Sequence, residues 1–125
     1  MPALHEPQNL GDLLKYEAPN LYSRDRVTVA VGENLPLGTV LGQVSASGQV
    51  HGLDPTASDG TQIAVGVLLQ DCDATLAARS DGLMVARHAI LSDRALVWPA
   101  GLTAAQQQAA LQQLKALGVL VRPGA

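Results

Sequence analysis

The sequence predicts a mainly β fold with one carboxyl-terminal α-helix and an extended amino-terminal arm. Two apolar runs in the stretch from Leu35 to Gln70 carry the β assignment. Thr39 to Val44 is rich in β-branched and aliphatic residues, follows Pro36 and Gly38, and ends at Ser45, Ser47 and Gly48. Ile63 to Leu69 is continuously apolar and too short to span a membrane, as expected of a strand buried on both faces. Asp54-Pro55 and Ser58-Asp59-Gly60 lie between the runs as turn signals. Gly66, inside the second run, marks a bulge or the close approach of another backbone or a large side chain.

Residues 1–26 read as an arm, and residues 27–125 as the β-rich body. The arm carries Pro2, Pro7 and Pro19 and short apolar pairs such as Leu13-Leu14, without sustained periodicity. Leu10 to Tyr16 is long enough for one helical turn, which alone is marginal in water. Tyr16 and Tyr22 suit surfaces where one end of a ring is buried and the other is wet.

The body opens with Val27 to Val31, whose alternation places Val27, Val29 and Val31 on one face. Beyond the central stretch, Asp71 to Asp73 form a polar break, Ala74 to Ala78 a segment of unassigned type, and Ser80-Asp81-Gly82 a turn. Leu83 to Leu91 and Arg94 to Trp98 read as further strands. The connections are short, which suits a compact antiparallel domain. Thr103 and Gln106 form a capping-box pattern that starts a helix running to Leu117, and Gly118 supplies its left-handed cap. Ala110, Leu111, Leu114 and Leu117 make its apolar stripe, with a Gln-rich solvated face opposite. Val119 to Val121 is the last strand.

With 125 residues, 47% of them hydrophobic and only 15% charged, the chain fits one domain. Two Tyr, one Trp and no Phe, with a net charge of -3, disfavour nucleic-acid binding, which uses aromatic platforms in a basic groove. The start MPALHEPQNLGDLLKYE lacks the basic and apolar blocks of a signal peptide, so the chain is expected to be intracellular in origin, without a membrane segment. Cys72 is the sole cysteine, which excludes an intrachain disulfide, and its position between Asp71 and Asp73 marks an inert turn thiol. His5, His51 and His88 have no metal-ligand spacing, and the aspartates lie at turns. No catalytic cluster, metal site or cofactor motif emerges. A ligand-holding β-barrel and a carrier domain presenting a modified lysine are readings that such a β-domain leaves open. Lys15 and Lys115, the only lysines, do not sit at a hairpin tip.

Four motifs recur in a known order. They are S-R-x-x-V-T-V at Ser23 to Val29, G-T-V-L-G at Gly38 to Gly42, D-G before A-x-G-V-L at Asp59 to Leu68, and L-x-x-L-x-x-x-G-V-x-V-R at Leu111 to Arg122. Across residues 13 to 123 the chain resembles the head decoration protein family of tailed bacteriophages. The resemblance implies a small β-barrel-like, β-tulip domain that forms homotrimers at three-fold positions of the expanded capsid. It would lie on the outer surface of the virion, after synthesis in the host bacterial cytoplasm, and clamp the major capsid protein against DNA pressure. Such a protein is no enzyme. On this reading Leu13, Leu14, Tyr16, Tyr22 and Arg24 of the arm contact the capsid, and Leu83, Val85, Trp98 and Pro99 form the trimer interface.

Overall fold

A computed structural model describes residues 9–19 and 22–123. The chain is mainly β. It begins with a one-turn helix α1 (Leu10–Leu13) and strands β1 (Leu14–Glu17), β2 (Arg24–Val29) and β3 (Asn34–Leu35), then β4 (Val40–Gln43), β5 (Val50–Gly52) and β6 (Ala64–Leu68). Strands β7 (Cys72–Asp73), β8 (Arg79–Val85) and β9 (Ala89–Ser92), a 3₁₀ turn at Asp93–Ala95, helix α2 (Ala104–Ala116) and β10 (Val119–Arg122) complete it.

Five strands close into a barrel in the order β2-β5-β4-β6-β8. One apolar cluster takes Val29, Val50, Leu41, Leu68 and Met84, one residue from each of the five strands, so it fills the barrel interior. The alternate residues Val40, Val67 and Val85 point the other way, into a second cluster with Leu13, Leu91 and Leu114. Both faces of β4, β6 and the second half of β8 are therefore largely buried. This matches the apolar run at Ile63 to Leu69, except that Ile63 itself is 48% exposed. Gly66 has the predicted reason: a Cβ there would lie 2.5 Å from the Met84 side chain and from the Val85 carbonyl oxygen. The barrel interior is occupied by these side chains.

Outside the barrel, β1, β9 and β10 form a three-stranded sheet with β9 in the middle, and β3 pairs with β7. The sheets are mixed rather than antiparallel throughout. β10 runs parallel to β9, with Val119 opposite Ala89, because α2 lies between them in sequence and returns the chain to the same end. A parallel contact between Val29 and Val50 also joins β2 to β5.

Several expectations are corrected. Ser80-Asp81-Gly82 is not a turn but the first half of β8, with Gly82 opposite Val27. A Cβ on Gly82 would sit 2.9 Å from the Val27 carbonyl oxygen, so this glycine serves strand approach. The segment from Leu83 to Leu91 contains parts of two strands, separated at His88, which takes a positive φ of 52°. Arg94 to Trp98 is no regular strand: it carries part of the 3₁₀ turn and a single parallel bridge from Val97 to Thr39. Val31 is 60% exposed because β2 ends at Val29, after a register shift beyond Val27. Ala74 is buried and the rest of the segment to Ala78 is an exposed loop.

Helix α2 carries the predicted capping box, in which Thr103 Oγ1 accepts from the Gln106 N–H at 3.1 Å and Gln106 Oε1 accepts from the Thr103 N–H at 3.0 Å. Gly118 follows with φ 86°. Ala110 and Leu114 are buried, Leu111 is half-buried and Leu117 is 40% exposed. The Gln face is not wholly solvated, since Gln113 Oε1 accepts from the Ala64 N–H at 2.7 Å and ties the helix to β6.

Much of the expected arm is built into the domain, although residues 1–8 and 20–21 lie outside the described residues. Asn9 and Asp12 form a second capping box, which positions α1. Leu13 is fully buried in the core. β1 pairs antiparallel with β9, and Arg24 to Arg26 belong to the barrel.

Candidate functional site

The five expected capsid-contact residues occupy different environments. Leu13 has no exposed surface and Leu14 is half-buried in β1. Tyr16 and Tyr22 are 55% and 56% exposed. Among the described residues β1 pairs with β9 alone, which makes it an edge strand of this sheet, and Tyr16 stands on it.

Arg24 is engaged inside the protomer. Its guanidinium holds both Glu17 carboxylate oxygens, with Nε 2.8 Å from Oε2 and Nη2 2.5 Å from Oε1. The buried Ser23 hydroxyl donates to the same carboxylate at 2.7 Å. A planar fork on a half-buried carboxylate is the strong form of an ion pair, and it staples β1 to the start of β2. The Arg24 hydrogen bonds hold the Glu17 carboxyl below its ordinary range, against the opposing effect of burial. A carboxyl depressed in the fold contributes stability above its unfolded pKa of about 4.3, and that contribution fades as pH falls through the folded value. Denaturant unfolding between pH 3 and pH 7 is therefore expected to show a loss of stability below about pH 4 that is smaller in Glu17→Gln. Equal acid dependence in both proteins would remove Glu17 from this role.

Beside this staple, Arg87 donates to the Tyr22 carbonyl oxygen at 2.7 Å and to Asp25 Oδ2 at 2.7 Å. Its guanidinium carbon lies 5.4 Å from the centre of the Tyr22 ring, and the His88 ring lies 5.3 Å from that centre. Tyr22 is thus pre-positioned at the surface. Sequence reasoning missed Glu17 and Arg87. Their partners lie in separate strands, and Asp25 stands 62 positions from Arg87, so spacing carried no signal.

Of the expected trimer residues, Leu83 is half-buried and packs against the core, and Val85 is completely buried in it. Trp98 and Pro99 are partly exposed, and with Pro36 and Leu53 they line a largely apolar groove of about 180 Å³. The structure brings Trp98 and Pro99 together on this surface, and Val85 has no part in it. Leu76, 94% exposed in the connection between β7 and β8, is an apolar surface residue within the segment whose type the sequence left unassigned.

Cys72 sits in the short strand β7 rather than a turn. Burial pushes its thiol pKa up, and Asp81 and Asp73 add to that against Arg79, so burial rather than the acidic neighbours is the main cause. Among the described residues no three His, Cys, Asp or Glu side chains gather as a metal-binding group. Nor is any described helix long and apolar enough to cross a membrane. His5 lies outside the described residues.

Among curated proteins none matches the chain significantly. The family model for the bacteriophage lambda head decoration protein D matches residues 3–119. That match covers the barrel, β1, β3, β7, β9 and all of α2 and ends at the first residue of β10, and its family is a structural component of the virion head. The chain belongs to the bacteriophage lambda head decoration protein D family.

Proposed function

We propose that this protein binds as a homotrimer at three-fold positions of the expanded head and stabilises the major capsid protein shell against the pressure of packaged DNA. Family membership over residues 3–119 is the observation that carries this reading. The open edge of β1 supports a means of attachment: an extended segment of the capsid protein adds to β1, with Tyr16 and Tyr22 packing alongside. Trp98 and Pro99, beside their apolar groove, are the surface residues assigned to the contact between protomers. Leu13 and Leu14 support attachment from within by holding β1 in place, and Arg24 does so through Glu17.

Three tethered copies bind far more tightly than one, because each later contact forms at an effective concentration of about 1 mM and multiplies the first. The arrangement also selects for shell geometry. Three capsid sites must lie at the spacing the trimer presents, which the expanded shell provides.

Sedimentation with heads lacking their own decoration protein tests this. The protein is expected to pellet with expanded heads and stay in solution with unexpanded ones. Tyr16→Ala is expected to weaken binding at least about tenfold, as loss of an interface anchor does. Failure to pellet with expanded heads, or equal binding to both forms, contradicts the reading.

A further inference from the structure

We propose a second docking edge, on β10, which takes an extended acidic segment of the shell protein by strand addition between Lys115 and Arg122. The inference rests on the shell-binding reading above and adds a site and a ligand chemistry to it.

β10 is the other edge of the three-stranded sheet, with β9 as its neighbour on one side. A groove of about 360 Å³ lies between β10 and α2, lined by Leu111, Gln112 and Lys115 of the helix and by every residue of the strand. Successive residues of a strand point to opposite faces. The groove touches all four, and among the described residues β10 pairs with β9 alone, so its other edge carries backbone donors and acceptors without a strand partner. This is the geometry that strand addition uses, with main-chain hydrogen bonds supplying affinity and side-chain contacts supplying selectivity.

Charge sets the selectivity. Lys115 and Arg122 are exposed and are the charged residues lining the groove, while the chain as a whole carries a net charge of -3. The remaining lining is Leu111, Val119, Leu120 and Val121, with one neutral Gln112. An incoming strand with an apolar residue against Leu111 and Leu120 and a carboxylate toward either cation complements it; a basic strand is repelled. Pro123 follows directly and cannot donate a backbone hydrogen bond, which limits the added segment to a few residues. A short contact of this kind is weak alone and gains from threefold repetition.

The test compares the wild-type protein with Lys115→Glu/Arg122→Glu and with the neutral pair Lys115→Gln/Arg122→Gln, using expanded heads without decoration protein. Both substituted positions are exposed, and unfolding midpoints measured alongside establish that the variants are folded. Charge reversal is expected to lower head affinity at least about tenfold, with the neutral pair intermediate, and to flatten the dependence of binding on salt. Hydrogen exchange of head-bound wild-type protein is expected to slow across residues 118–122. Wild-type binding that neither variant changes, or unaltered exchange in that segment, overturns the β10 site while leaving shell binding intact. If the wild-type protein itself fails to bind expanded heads, the functional reading falls, and the β10 proposal falls with it.

Discussion

Replacing Leu13 by alanine is expected to lower the free energy of unfolding by about 2 to 5 kcal/mol, the range for truncating a large buried aliphatic side chain. Leu13 is fully buried and shares a core cluster with Leu37, Leu91, Leu96 and Leu114. Helix α1 has only four residues, too few to persist alone. Its order comes from three things: the Asn9–Asp12 capping box, the pairing of β1 with β9, and the burial of Leu13. Removing the last leaves a void beneath the sheet edge assigned to shell attachment. An unchanged unfolding midpoint would mean that this segment stands free of the core in solution. A chain starting at Arg26 is accordingly a poor probe of shell binding. It lacks Leu13, β1 and the Glu17–Arg24 pair together, and so damages the body along with the attachment edge.

A comparable loss, again about 2 to 5 kcal/mol, is expected for Leu114→Ala. Leu114 is the fully buried leucine of α2, and the helix packs on both β6 and β10. Leu111, half-buried on the same stripe, should cost less when truncated. Thr103→Ala removes the capping hydroxyl and is worth about 1 kcal/mol. That order, with Leu114 largest, is read from denaturant midpoints at constant slope. An unchanged midpoint for Leu114→Ala would count against this helix face.

Features with local causes were legible in the sequence. Thr103, Gln106 and Gly118 mark the ends of α2 because caps are made by neighbours within a few residues. Gly66 was legible too, since a glycine within an apolar run has few reasons to be there. What escaped depends on distant partners. Ser80-Asp81-Gly82 has turn chemistry, but pairing of β8 with β2 supplies ladder hydrogen bonds that outweigh it. The break at His88 follows from contacts around it: Ala86 donates to the Ser23 carbonyl, and Arg87 binds Tyr22 and Asp25. The parallel course of β10 was open to inference from the strand-helix-strand order between Ala89 and Arg122. Of the proposed surface, Tyr16, Tyr22, Trp98 and Pro99 are accessible, whereas the burial of Leu13 and Val85 required the folded arrangement to be seen.

Three-fold presentation of the docking edges is the central claim, and the mass of the free protein in solution tests it most directly. Light scattering at micromolar concentration is predicted to give three times the chain mass of 13.0 kDa. Trp98→Asp, which places a charge at the proposed contact between protomers, is predicted to shift that mass toward a single chain. A wild-type mass of 13.0 kDa under the same conditions would contradict the account.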